Sequence, residues 1–176
     1  MLAKLTGRIP DFVPIKSGIF PLKKLLGLKQ SKEITMANTY NLFISHSWAY
    51  GDAYDKLTNM LDEASYFSYR NHSVPKNDPI HNAPNQAALR QAIQNKMNGC
   101  HAILVLAGVY STYSKWINEE ITLANKGFAN PKPIVAIQPW GAERTSTVVK
   151  NNADIVVGWN TNSIVSGIRQ VGLTPS

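Results

Sequence analysis

Cysteine is almost missing from this chain: Cys100 stands alone among 176 residues. A single thiol cannot close an internal disulfide, so no cross-linked secreted scaffold is encoded. A small buried thiol in a reducing cytosol is its expected role. Long apolar runs are missing as well, and nothing approaches the ~20 apolar residues of a membrane span. Near the N-terminus, Pro10, Asp11, Pro14, Lys16 and Pro21 interrupt every apolar stretch, which excludes a signal-peptide pattern there. Glycines are scattered. Gly51 and Gly108 are isolated, so neither usual phosphate-binding loop is present. There is no Gly-x-Ser-x-Gly elbow, and Cys100 has no base beside it, which removes the common acyl-transfer nucleophiles. The four histidines lack metal-ligand spacing. Among them His101 reads as a strand-start residue and His81 as a solvated loop residue.

Acids are few, 11 against 18 Lys and Arg, and the formal charge of +7 suggests nucleic acid at first sight. The distribution argues otherwise. Residues 1–36 hold seven Lys/Arg and two acids, whereas the remainder holds eleven and nine. The basicity therefore belongs mainly to an N-terminal extension, residues 1–38, and not to a binding face. No Lys/Arg cluster with interleaved aromatics occurs in the body, so nucleic-acid binding is not expected. The extension mixes prolines, lysines and apolar residues without a period and reads as a flexible tail. Within it, Phe20 to Leu28 has the makings of a short basic amphipathic segment suited to touching a membrane or a partner.

What is present is alternation of strand-like and helix-like patterns from residue 39 to 172, followed by a short tail, 173–176. Strands are expected over residues 40–46, 66–69, 101–107, 134–137 and 154–157. Between the first two, Asp52 is a plausible N-cap for a helix carrying Ala53, Leu57, Met60, Leu61 and Ala64 at helical spacing. A long polar loop, 70–84, holds three prolines and two histidines, and loops of that length in compact domains are commonly functional. Asn85 opens a second helix that stops at Gly99, and Ser114 opens a third that ends near Gly127. A polar, partly helical connection precedes the fifth strand, and residues 163–171 close the chain as a helix. Strands alternating with helices imply an α/β, flavodoxin-like three-layer sandwich with a five-stranded parallel sheet. With the common order 2-1-3-4-5, a ligand crevice lies at the carboxyl ends of the first and third strands. Ser45-His46, the 70–84 loop, residues 110–113 and the third helix all open toward it.

That third helix begins Ser114-Lys115-Trp116-Ile117-Asn118-Glu119-Glu120-Ile121. At roughly 100° per residue, Ile117, Ile121 and Ala124 form one apolar stripe and Glu120 falls on its shoulder, roughly 65° from the centre. Glu119 points to the opposite side. Trp116 lies one turn before Glu120. An acid in a first turn is favoured by the helix dipole, a reading that suits Glu119 better than Glu120. The crevice thus has one placed carboxylate, several hydroxyls and amides, and aromatic surfaces from Trp48, Tyr110, Tyr113 and Trp116. Such an inventory suits cleavage of an activated N-glycosidic bond, where a carboxylate stabilises an oxocarbenium-like ribosyl centre. No second acid is needed when the leaving group departs unprotonated, as a cationic nicotinamide does.

At this point the motifs match a family. Tyr40-Asn41-Leu42-Phe43-Ile44-Ser45-His46 resembles the opening strand of TIR domains. Ser114-x-Trp116-x-x-x-Glu120-Ile121 resembles their Ser-x-Trp-x-x-x-Glu-Leu helix, which carries the NADase glutamate. The loop from Tyr69 to Pro75 looks like the bacterial TIR-like branch that includes the ThsB components of Thoeris anti-phage systems, and it lacks the acidic pattern of animal and plant TIR domains. The resemblance covers residues 39–172. It implies a cytoplasmic enzyme that cleaves NAD, taken as substrate and not as cofactor, to nicotinamide and an ADP-ribose-derived signal nucleotide that activates an effector protein. It places Glu120 in the catalytic position and Ser45, His46, Trp48, Asn71 and Ser73 in the loops beside the substrate, where the aromatic faces of Tyr110 and Trp116 would stack its rings; no metal is expected. Two alternatives remain open: a non-catalytic adaptor that associates through TIR–TIR contacts, and an enzyme resembling nucleoside deoxyribosyltransferases.

Overall fold

Among the described residues four apolar runs and one polar edge segment become parallel strands: β1 (Thr39–Ser45), β2 (Ser68–Asn71, the polar edge), β3 (Ala102–Leu106), β4 (Ile134–Ile137) and β5 (Ile155–Val157). The computed structural model of the chain describes residues 38–45, 51–74, 84–108, 114–138 and 145–172. The N-terminal extension expected over residues 1–38 therefore lies, apart from Asn38, outside the described residues. The strands join in the order β2-β1-β3-β4-β5, every pair parallel, as the alternating pattern implies. Leu42 pairs with Ala102 and Ser45 with Val105, so β1 and β3 end side by side. The chain leaves β1 toward β2 on one side and returns to β3 on the other, which makes the β1/β3 boundary the switch point.

Among the described residues five helices cover the sheet: α1 (Gly51–Asp62), α2 (Gln86–Asn98), α3 (Lys115–Lys126), α4 (Thr147–Asn152) and α5 (Thr161–Val171). Successive strand side chains point to opposite faces, and the core divides accordingly. Phe43, Ile103, Val105, Ile134 and Ala136 pack with residues of α2, α3 and α4, including Ile93, Met97, Ile117 and Val149. Leu42, Ile44, Leu104, Val135 and Ile137 pack on the other side with Leu57 and Leu61 of α1 and Ile164 and Ile168 of α5. Full burial of each such side chain contributes about 1.5–3 kcal/mol, so the central strands hold the sheet firmly from both faces. No helix among the described residues is long and apolar enough to cross a membrane.

Local signals account for most helix ends. Asn85 Oδ1 accepts the Ala88 N–H at 2.9 Å, Ser114 Oγ accepts that of Ile117 at 3.3 Å, and Gly99 and Gly127 terminate their helices. The differences have identifiable causes. Asp52 lies inside the first turn of α1 instead of capping it, and its carboxylate pairs with Lys56 one turn on at 3.1 Å. The second strand starts at Ser68 and not at Tyr66, because Tyr66 adopts φ 58° in the turn between α1 and β2. Its aromatic ring suggested a strand, yet the side chain is 92% exposed and packs on nothing in the core. The last helix begins two residues earlier than its apolar period suggests, since Asn160 Oδ1 caps it by accepting the Ser163 N–H.

Tyr66 holds a left-handed conformation that favours glycine. Tyr66→Gly is expected to raise stability by about 1 kcal/mol, read as a shifted midpoint in urea unfolding at unchanged slope. A loss of stability would show that the exposed ring has a contact worth more than the relieved strain.

Candidate active site

The strand period places Ser45 on the same face as Phe43, under α3, at the position where β1 ends. An apolar residue would fit the local pattern; a hydroxyl stands there instead and is 1% exposed. Above it runs α3, whose buried positions are Ile117, Glu120, Ile121, Leu123 and Ala124. Leu123 widens the inward arc to the far side of Glu120. The carboxyl therefore lies within the buried stripe, deeper than its shoulder position against Ile117, Ile121 and Ala124 alone implied. Ser45 Oγ donates a hydrogen bond to Glu120 Oε2, and Glu120 is only 8% exposed.

Burial destabilises the ionised carboxylate. Removal from water pushes Glu120 up from 4.5 to about 7, and the Ser45 hydrogen bond pulls it partly back. The folded protein thus holds a proton that the unfolded chain releases between about pH 4.5 and 7. Stability contributed by the neutral form is complete below that window and is lost as pH rises through it. The adjacent acid has a different fate. Glu119 faces α2 and pairs with Arg90 at 2.6 Å.

A second polar group gathers where β2 ends. His72 N–H donates to Leu42 O at 2.8 Å, just past the end of the strand. The next donor on β1, Ile44 N–H, is met by the buried Ser73 hydroxyl at 2.8 Å. Ser73 in turn donates through Oγ to Asn71 Oδ1 at 2.6 Å, and its own N–H reaches the same oxygen at 3.0 Å. Asn71 Nδ2 donates to the Tyr54 hydroxyl of α1 at 2.8 Å. Tyr54 was not singled out from sequence. Its spacing with Leu57 and Leu61 marks the inward face of α1, but nothing local signals a hydroxyl partner beyond β2.

Of the residues that the sequence pointed to, Ser45 and Glu120 are in contact, and Asn71 and Ser73 are joined to the strand that carries Ser45. Trp116, 41% exposed, sits one turn before Glu120 at the start of α3. His46, Trp48 and Tyr110 lie outside the described residues, as do Tyr113 and His81. Among the described residues no group of His, Cys, Asp and Glu is placed to hold a metal ion. Cys100 is buried, and burial pushes its thiol up to about 11 against a smaller opposing pull from Lys132, so it is protonated and unreactive at neutral pH. His101 Nδ1 accepts the Asn41 N–H at 2.8 Å, at the opposite end of β1 from Ser45.

A family model described as Thoeris protein ThsB, TIR-like domain, matches residues 43–144, more than half of the chain and a span that includes Ser45, Asn71, Ser73, Trp116 and Glu120. No curated protein matches the chain. Among solved structures, the SEFIR domain of the IL-17 receptor B is similar over 76% of this chain and 95% of that one, at 8% identity and a TM-score of 0.47. A prokaryotic SEFIR domain is similar over 76% and 96%, at 15% identity and a TM-score of 0.37.

Glu120→Gln removes the ionisation and keeps the shape. At pH 8 the variant is expected to be more stable than wild type by up to about 3 kcal/mol, the linkage value of the raised pKa. The difference shrinks as pH falls toward 4.5, and denaturant unfolding at three pH values reads it. Parallel pH profiles for the two proteins would mean that the carboxyl is solvated in solution.

Proposed function

The chain belongs to the ThsB TIR-like domain family of Thoeris proteins, and on that footing we propose that it cleaves NAD between ribose and nicotinamide, with Glu120 as the catalytic carboxylate. The observation that carries this reading is a carboxyl group buried at the switch point of the sheet with a hydroxyl donor aimed at it. A carboxylate with little water around it gains most from positive charge brought next to it. NAD brings such charge in its nicotinamide ring. When the C–N bond breaks, its electron pair leaves with nicotinamide, which departs neutral, and the positive charge passes to the ribosyl centre. Ionised Glu120 would stabilise that oxocarbenium-like centre and hold the ribose hydroxyls. One carboxylate suffices, because the leaving group needs no proton.

The product depends on the nucleophile. Water adds to the ribosyl centre and loses a proton to give ADP-ribose, whereas a nitrogen or hydroxyl of the substrate or of another molecule gives a cyclised or transferred product. A signal nucleotide of that kind would reach an effector protein by diffusion in anti-phage defence, and NAD supply puts the reaction in the cytoplasm. The indole of Trp116 offers an aromatic surface at the entrance to the helix that carries Glu120.

Incubation with NAD, with and without a phage component as trigger, followed by nicotinamide detection, tests the reading. Glu120→Gln is expected to lower release at least ~10²-fold, the usual loss when a group stabilising developing charge is removed. Since the ionised form is the active one, kcat/KM should fall as pH drops below about 7, where Glu120 takes up its proton. Equal release by wild type and variant removes Glu120 from the chemistry. Untouched NAD in activated cells favours a docking module, and turnover of free deoxynucleosides favours deoxyribosyl transfer.

A further inference from the structure

We infer that Asn71 and Ser73 are positioning residues that brace the end of β1 so that the Ser45 hydroxyl is aimed at Glu120, and that they do not themselves contact substrate. The functional meaning of this brace rests on the reading of Glu120 as the reacting carboxylate. Its geometry does not.

β2 ends at Asn71, short of the level at which β1 ends in Ser45. There the side chain of Ser73 takes over from the strand. Its Oγ accepts the Ile44 N–H at 2.8 Å, in the place where a longer β2 would offer a backbone carbonyl. The turn that brings Ser73 back toward β1 is closed by Asn71, whose Oδ1 accepts both the N–H and the O–H of Ser73. This is the local side-chain to backbone arrangement that lets Asn end a strand and reverse the chain. The bond from Asn71 Nδ2 to the Tyr54 hydroxyl fixes the amide to α1. From α1 to the last residues of β1 the connection is thus a continuous set of hydrogen bonds. On the other side Ser45 pairs with Val105 of β3. The end of β1 is braced from both neighbours.

The bonding capacity of the two residues supports the same assignment. A serine hydroxyl has one proton to give, and that of Ser73 goes to Asn71. One of its acceptor sites is taken by the Ile44 N–H. Asn71 Oδ1 already accepts two hydrogen bonds, the number its lone pairs allow. The Ser73 hydroxyl proton and the Asn71 carbonyl are therefore committed to the brace, while the exposed Asn71 amide gives one of its two protons to Tyr54. What both can do is hold a neighbour, and site geometry must hold within about 0.5 Å to be productive.

The experiment uses the full chain with labelled glutamate and follows the Glu120 carboxyl by NMR titration, its signal assigned by loss in Glu120→Gln. Ser45→Ala removes a donor to the ionised form and should raise the midpoint by about one pH unit. Ser73→Ala and Asn71→Ala should raise it in the same direction by part of that amount, Ser73→Thr should restore it, and Ser45→Ala/Ser73→Ala should shift no further than Ser45→Ala alone. An unchanged midpoint in a folded Ser73→Ala protein, or shifts that add in the double variant, overturns the inference. Should Ser73→Ala fail to fold, Asn71→Ala decides by the same criterion. With NAD as substrate, both variants should lower kcat roughly tenfold at unchanged KM, as a misplaced group does; a raised KM at unchanged kcat makes them substrate contacts and overturns it. If no nicotinamide is released by any protein, the proposed reaction fails while the titration still decides the brace.

Discussion

A carboxyl group held out of water against a serine hydroxyl is the contact on which the rest of this site depends. Two opposing effects set its state. Desolvation favours the neutral acid, the hydrogen bond from Ser45 favours the anion, and desolvation is the larger. An apolar residue at position 120 would continue the stripe of Ile117, Ile121, Leu123 and Ala124 and pack α3 on the sheet without that conflict. A chain that gives up packing energy at the centre of an amphipathic helix departs from local consistency, and such departures concentrate at functional positions.

The sheet explains why the contact forms where it does. Ser45 and Glu120 are 75 residues apart in sequence and meet because β1 and β3 are neighbours and α3 follows β3 after one loop. β1 and β3 are buried on both faces, which leaves their ends little freedom. The short edge strand β2 stops early, and the Asn71–Ser73 turn completes the edge with side chains in place of backbone. Rigid strands and a side-chain brace give the polar pair at the carboxyl end of β1 a defined geometry.

Much of this was legible from residue pattern. Alternating apolar runs with helical segments between them imply a parallel sheet, and 2-1-3-4-5, a common order for such sheets, is the one the chain adopts. Asn85, Gly99, Ser114 and Gly127 mark helix ends because capping is chemistry between residues three or four apart. Where the reading slipped, a local preference met a stronger demand. Tyr66 has a strand-forming side chain, yet the chain must reverse there, so it takes a left-handed turn and points its ring to solvent. Asp52 has the chemistry of a cap but falls one position inside the helix and pairs with Lys56.

Residue types and their period were enough to settle the five strands, four of the five described helices with their apolar faces, and that one glutamate sits near the inward side of a helix beside the central strand; α4 read only as a partly helical connection. These are properties of neighbours along the chain, governed by steric preference and by the repeat of 2 or 3.6 residues. Who meets whom across the sheet was decided only by folding. That Leu123 draws Glu120 into the buried arc, that Ser45 supplies it with a donor, and that the hydroxyl of Ser73 replaces a strand carbonyl with Tyr54 behind it all depend on distances between segments far apart in sequence. Side-chain chemistry travels with the residue, but burial and hydrogen-bond partners belong to the assembled fold, and those are what set the charge and the aim of Glu120.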